Sequence, residues 1–92
     1  MVGNEPKAQR LLDRSRVNAE VAQLVYEARA GAKLTQRELA RRVGTTQSVI
    51  ARLEDADYEG HSLTMLKRIA TALNQRLEIR FSPLPRHSAR TD

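Results

Sequence analysis

The sequence predicts an all-α protein of four to five helices that ends in a single β-strand. A chain of 92 residues holds one small domain. Two tyrosines and one phenylalanine leave an aliphatic core, which argues against a β-sandwich. Apolar residues recur at helical spacing until strict alternation replaces that spacing near the C-terminus. We expect a flexible arm over residues 1–15, a helical domain over 16–76, a strand over 77–81 and a flexible tail over 82–92.

Residues 35–54 predict two short helices joined by a tight turn. Thr35 and Glu38 have the spacing of a capping box, which marks the start of a helix. Gly44 stands where this helix must end, and Thr46 is placed to cap the next one. The apolar residues that this pair is expected to bury are Leu39, Ala40, Val43, Ile50 and Leu53. Two helices joined so closely indicate a helix-turn-helix, with a purely structural helical hairpin as the alternative.

Further helices are predicted on both sides of this pair. The preceding helix begins near Val17 and ends at Gly31. The following helix has Ser62 as its cap and Asn74 as its left-handed stop. The residues expected to face the core are Val17, Val21, Leu24, Val25 and Ala28 in the first of these helices and Leu63, Leu66, Ile69, Ala70 and Leu73 in the second.

Leu77, Ile79 and Phe81 alternate with charged residues, which is the pattern of a half-buried strand. A single strand leaves its backbone donors and acceptors unpaired, so we expect it to pair with a second copy of the chain. These three residues are therefore the predicted dimerisation contacts. A disordered tail with a chance alternation is the alternative.

The net charge of +5 and the pI of about 10.4 indicate a polyanionic partner. One acidic loop, with Asp55, Asp57 and Glu59, interrupts an otherwise basic chain. The absence of cysteine fits a reducing cytoplasm. No apolar run approaches the roughly 20 residues that a membrane helix needs. We therefore expect a cytoplasmic protein that does not associate with membranes.

No constellation of residues predicts catalysis or metal binding. His61 and His87 lie in loop or tail sequence without a second ligand beside them, and His61 is better interpreted as a loop or capping residue. The acidic loop lacks the ligand number of a calcium site. The chain also has no glycine loop that would cradle phosphate and no pairing of a nucleophile with a base. We expect no enzyme activity, no cofactor and no metal.

The second helix of the pair carries polar side chains on the face opposite its apolar stripe. Gln47, Ser48 and Arg52 are of the types that hydrogen-bond base edges in a DNA major groove. Cationic and polar residues around the start of the first helix would instead position the protein on phosphates. The residues predicted for this second role are Lys33, Gln36, Arg37 and Thr45.

The segment from about Val17 to Leu77 resembles the lambda-repressor-like, or XRE, helix-turn-helix superfamily. The residues that carry the resemblance are Leu34-Thr35-Gln36, Glu38-Leu39-Ala40, Val43-Gly44, Gln47 and Leu53-Glu54. It implies binding to double-stranded DNA, in which Gln36 contacts phosphate, Gln47 bonds adenine and Thr46 approaches a thymine methyl. The chain departs from the common pattern at Ser48 and Arg52, and an arginine favours guanine.

Residues 24–29 and 73–81 are similar to HigA-type antitoxins, and HipB-like antitoxins end in a comparable strand. This resemblance implies a homodimer that represses its own operon and neutralises a RelE/HigB-like toxin in the bacterial cytoplasm. The acidic loop is a departure, because phage repressors often place basic residues there. The alternatives are a phage-type repressor or host regulator without a toxin and, in a different class, an interaction adaptor that does not bind DNA.

Overall fold

The computed structural model describes the backbone of residues 5–84 and the side chains of residues 16–84. The described chain is all-α, as predicted, and its elements are α1 (Glu5–Gly31), α2 (Gln36–Val43), α3 (Gln47–Leu53) and α4 (Leu63–Ala72). Among these residues, no helix combines the length and the apolar character needed to cross a membrane.

The first helix begins earlier than the sequence indicated. We expected helix from Val17 after a flexible arm, but α1 already starts at Glu5. Pro6 lies in this segment, and proline in the interior of a helix would break it. In the first turn of a helix, however, the backbone N–H has no intrahelical acceptor, so proline loses no hydrogen bond there. The arm therefore contains helix over most of its predicted length.

The caps predicted for α2 and α3 are confirmed. Thr35 Oγ1 accepts from the Glu38 backbone N–H at 3.0 Å, and Glu38 Oε1 accepts from the Thr35 backbone N–H at 2.8 Å. Gly44 ends α2 in the left-handed conformation, with φ of 88°. Thr46 Oγ1 accepts from the Val49 backbone N–H at 3.3 Å and so begins α3. These short-range bonds fix a turn of three residues between the two helices.

The ends of α1 and α4 share one hydrogen-bonding pattern. After α1, the left-handed residue is Lys33 rather than a glycine, with φ of 60°. The Leu34 N–H bonds the Arg29 carbonyl at 3.3 Å, and the Lys33 N–H bonds the Ala30 carbonyl at 2.9 Å. This is a Schellman motif. Asn74 takes the same position after α4, with φ of 57°, as predicted.

One buried cluster joins the four helices. Its members are Val25, Leu39, Ala40, Val43, Ile50, Leu53, Ile69 and Leu73. The stripes predicted for α2 and α3 are confirmed, since Leu39 and Ile50 are fully buried.

The buried face of α1 differs from the predicted stripe. Ala22 and Val25 are buried, whereas Val17 and Leu24 are 53% and 50% exposed. Leu63, predicted to be in the core, is 52% exposed at the start of α4. Apolar residues at helical spacing on α1 define two overlapping stripes, and only the packing against the other helices decides which of them is buried.

The segment after α4 has no assigned helix or strand between residues 75 and 84. Leu77 is half-buried, while Ile79 is 64% exposed and Phe81 is fully exposed. A strand that pairs with a second copy has no partner within one chain. The pairing of Leu77, Ile79 and Phe81 therefore stays a prediction.

The capping box gives α2 a pH-dependent start. The hydrogen bond from the Thr35 backbone N–H lowers the pKa of Glu38 below its ordinary value of 4.5. A carboxylate with a lowered folded-state pKa stabilises the fold above its unfolded pKa and loses that contribution as the pH falls through the folded value. Glu38→Gln keeps an oxygen acceptor but does not titrate. We expect the wild type to be more stable than Glu38→Gln at pH 7. This difference in stability should begin to shrink near pH 4.5 and disappear as the pH falls through the lowered pKa of Glu38.

Urea unfolding of both proteins between pH 7 and pH 3 measures this difference. Glu59→Gln, which removes a charge from an exposed loop position, is the control. An advantage of the wild type over Glu38→Gln that does not change with pH would contradict the role of the carboxylate.

Candidate nucleic-acid interface

The tight turn presents one polar face of α3 to solvent. Ile50 and Leu53 anchor the opposite face in the core, with 0% and 3% exposure. Gln47, Ser48 and Arg52 are all exposed. Within the described residues, no hydrogen bond or ion pair to the Arg52 guanidinium is found, so its five N–H donors are available to a ligand. The predicted base-reading side chains therefore share one accessible surface.

Gln36 and Gln47 are joined by a side-chain hydrogen bond. Gln47 Nε2 donates to Gln36 Oε1 at 3.2 Å, and Gln36 Nε2 donates to Glu54 Oε1 at 3.1 Å. Gln36 begins α2 and Gln47 begins α3, so the bond ties the starts of both helices together. Among the described residues, no partner is found for the second N–H of either amide or for the carbonyl oxygen of Gln47, so these atoms can bond a ligand.

A bidentate ion pair between Arg29 and Glu54 holds the carboxylate that Gln36 bonds. Arg29 donates from Nε to Glu54 Oε2 at 2.7 Å and from Nη2 to Glu54 Oε1 at 3.0 Å. The side chains are only 14% and 6% exposed. The bonds to Glu54 raise the pKa of the Arg29 guanidinium above its usual value, so this group stays charged at all physiological pH values.

Arg29 also holds the end of its own helix. Its Nη1 donates to the Leu34 carbonyl at 2.8 Å, and its guanidinium lies 5.3 Å from the centre of the Tyr26 ring. Arg29 and Glu54 are not among the functional residues that the sequence predicts. Glu54 belonged to the residues that carried the family resemblance, but nothing local paired it with an arginine 25 positions earlier.

The residues predicted to contact phosphate lie around the start of α2 and in the turn. Lys33 and Arg37 are exposed, while Gln36 and Thr45 are half-buried. Thr46 is exposed, but its hydroxyl is engaged by the Val49 N–H, which leaves its methyl group for an apolar contact. Of these residues, Gln36 is linked directly to α3, through its side-chain hydrogen bond with Gln47.

The loop after α3 is fixed by His61. A carbonyl only accepts, so His61 Nε2 donates to the Leu53 carbonyl at 2.7 Å. The Tyr58 ring packs edge-on against the imidazole, with centroids 5.1 Å apart. A Cβ at Gly60 would collide with the end of the Tyr58 ring, so a larger residue there would require this ring to move. The prediction of His61 as a loop and capping residue is confirmed.

The same loop keeps its three carboxylates in solvent. Asp55, Asp57 and Glu59 are exposed, and Asp55 Oδ1 accepts from the Asp57 backbone N–H at 2.9 Å. Over the described residues, no group of three or more histidine, cysteine and acidic side chains is arranged to hold a metal ion. The acidic loop therefore offers negative charge at the surface next to α3.

A family model described as "Helix-turn-helix domain" matches residues 6–82 of the chain. The match covers α1 from its second residue onward, all of α2, α3 and α4, and the segment after α4 as far as residue 82. No curated protein and no solved structure shows a significant match.

The Arg29–Glu54 pair is expected to contribute measurably to stability. Arg29→Ala and Glu54→Ala should each lower the free energy of unfolding by about 2–3 kcal/mol, because each leaves a nearly buried charge without its partner. The double variant should lose less than the sum, with a coupling of about 1–3 kcal/mol. Chemical denaturation of the four proteins in the cycle measures this coupling.

The exposed pair Arg76–Glu78 provides a matched control. Its atoms are 3.0 Å apart, but its side chains are 85% and 75% exposed. The coupling from the same cycle should be below about 1 kcal/mol there, because solvent screens the charges. Equal couplings in the two cycles would show that burial does not strengthen the first pair.

Proposed function

Because the chain belongs to the helix-turn-helix domain family, we propose that it binds operator sites in double-stranded DNA in a sequence-specific manner and represses transcription there. The observation that carries the proposal is the exposed polar face of α3, with Gln47 held by Gln36 above the buried Ile50 and Leu53. Such a face offers directed donors and acceptors to base edges in a major groove.

Each side chain of this face has a role in the proposal. Gln47 uses its free N–H and its carbonyl oxygen to bond adenine, which is the bidentate pattern of an amide. Arg52 extends its free guanidinium to guanine, and Ser48 bonds either type of base. The methyl group of Thr46 contacts thymine. These contacts specify sequence, whereas contacts to phosphate position the protein.

The phosphate contacts in this proposal come from the start of α2 and the turn. Lys33 and Arg37 supply charge, and the remaining N–H of Gln36 and the hydroxyl of Thr45 supply hydrogen bonds. Lys33 is kept in a left-handed conformation that a residue with a Cβ adopts at a cost of about 1 kcal/mol. Strain of this kind often accompanies a functional side chain, which supports a role for the Lys33 ammonium.

We further propose that the protein acts as a homodimer on a palindromic operator. Pairing of residues 77–81 from two copies would satisfy the backbone groups of both segments. A two-fold dimer presents its two α3 helices to successive major grooves, about 34 Å or a multiple apart. The exposed Ile79 and Phe81 support this proposal, because contact with a second copy would remove their apolar surface from water.

The biological role that we propose is that of an antitoxin in the bacterial cytoplasm, one that represses its own operon and binds a RelE/HigB-like toxin. A phage-type repressor or host regulator without a toxin would use the same DNA contacts. An adaptor that does not bind DNA is disfavoured, because the exposed part of α3 carries polar side chains and Ala51 rather than large apolar anchors. Catalysis has no part in the proposal.

The DNA-binding proposal is tested by two arginine variants. Arg52→Ala should lose discrimination at one base pair, worth roughly 1–3 kcal/mol, with nearly unchanged binding to scrambled DNA. Arg37→Ala should weaken binding to every duplex alike and lower the salt slope by about one unit. Both side chains are exposed, so neither change disturbs the core.

Competition binding on operator and scrambled duplexes at two salt concentrations separates the two effects, and circular dichroism checks that both variants stay helical. Equal losses on both duplexes for Arg52→Ala would remove Arg52 from the set of base-reading residues.

The antitoxin proposal predicts a small basic RelE-like protein in the neighbouring reading frame, which should co-purify with this chain. Leu11 and Leu12 are apolar residues in a polar segment and suit a protein contact. Deleting residues 1–12 shortens α1 before Ala22, the first buried residue among those described, so operator binding should persist while rescue of cells that express the toxin is lost.

A variant of the acidic loop, Asp55→Asn/Asp57→Asn/Glu59→Gln, is the comparison. Full neutralisation by the deletion and none by the loop variant would move the toxin contact to the loop. A lack of any co-purifying neighbour would leave a repressor without a toxin.

A further inference from the structure

An apolar groove of about 250 Å³ lies between α1 and α4. The side chains that form it from the two helices are Leu24, Val25, Ala28, Leu66, Ile69 and Leu73. The segment after α4 closes one side, where Leu77 reaches the groove. Leu24 stands at the opposite rim and is half exposed. The groove therefore connects the buried cluster to the surface next to residues 77–81.

In the described part of the chain, the segment that leaves this groove carries three apolar side chains that are mostly exposed. Ile79, Phe81 and Leu84 are 64%, 100% and 72% exposed. Phe81 is the single phenylalanine of the chain and its most exposed large apolar residue among those described. A fully exposed aromatic ring leaves a large apolar surface in contact with water, and binding to a partner would bury that surface.

We propose that the groove of each protomer receives Phe81 of a second copy, a proposal that rests on the dimer described above. In an antiparallel pair centred on Ile79, residue 77 of one chain lies directly opposite residue 81 of the other. Side chains in such a pair have their Cβ atoms about 4.5–5.5 Å apart. Since Leu77 borders the groove, this register brings the phenylalanine of the second copy over the groove.

Symmetry fills both grooves at once. In a two-fold dimer, every contact occurs twice, so the two Phe81 side chains exchange between protomers. The Phe81 of the same chain cannot fill the groove, because an extended segment places it about 13 Å beyond Leu77 and away from the groove. Its full exposure agrees with that direction.

The charges next to this segment match the same register. Glu78 and Arg80 of opposite chains become neighbours in a pair centred on Ile79. In the single chain, Glu78 already bonds a cation, since Arg76 Nη2 donates to its Oε2 at 3.0 Å. Arg80 then adds a second cation from the other protomer. Opposite charges therefore face each other across the pair, whereas a shift by one residue would move the apolar side chains to the opposite face.

Phe81→Trp tests the position of this side chain directly. The chain contains no tryptophan, so the variant has a single tryptophan, which can be excited selectively over the two tyrosines. As sedimentation shows dimer forming with increasing concentration, the tryptophan emission should shift to shorter wavelength and become protected from iodide quenching. A dimer whose tryptophan stays exposed would overturn the docking but leave the dimer standing. A wild-type chain that is monomeric at millimolar concentration would overturn both.

Matched leucine variants test the groove. Leu24→Gln at the rim should weaken the dimer at least about tenfold, and it should return the emission of the Phe81→Trp protein toward that of exposed tryptophan. Leu63→Gln changes a leucine of similar exposure that lies outside the groove, so it should leave both readouts unchanged. Equal weakening by the two variants would overturn the proposal.

A further pair covers the case in which tryptophan is too large for the groove and prevents association. Phe81→Leu should then retain the dimer that Phe81→Ser loses. Retention of the wild-type dimer constant in Phe81→Ser would overturn the proposal. Because Phe81 is fully exposed within one chain, none of these changes affects the fold of the protomer.

Discussion

The ion pair between Arg29 and Glu54 holds together the parts of the chain that make the candidate interface. Arg29 lies in the last turn of α1, and Glu54 caps the end of α3. Gln36, the first residue of α2, bonds the same carboxylate. Charges that are removed from water this far stay ionised only when their hydrogen-bonding groups are satisfied. The orientation of three helices at this end of the molecule therefore depends on one carboxylate.

The chemistry of that carboxylate also sets the direction of the next bonds. An ionised glutamate only accepts hydrogen bonds, so Gln36 must turn its NH₂ group toward Glu54. Its carbonyl oxygen then faces Gln47, which must donate. Each amide in the chain of bonds thus has one orientation rather than two. A preorganised amide loses less conformational freedom on binding, so the network would favour affinity for a matching base edge in the proposed complex with DNA.

The sequence predicted those features that depend on short stretches of chain. The caps at Thr35, Thr46 and Ser62 and the left-handed residues Gly44 and Asn74 follow from local hydrogen bonding, and the structure contains them. The buried face of α1 was not predictable in this way, because it depends on packing against residues far along the chain. The ion pair of Arg29 has the same origin. Its partner is 25 residues away, and no periodicity relates the two. The strand is a different case, since its hydrogen bonds would come from another molecule.

At Lys33, a change that raises the stability of the fold would also remove a positive charge from the surface. Glycine at its left-handed position would stabilise the native backbone by up to about 1 kcal/mol, less the entropy that glycine adds to the unfolded chain. The same change would remove a positive charge close to Gln36 and Arg37. A library screened only by melting temperature would therefore become enriched in variants with a less basic surface. Thermal tolerance and attraction to polyanions would diverge at this single position, so both properties need to be screened together.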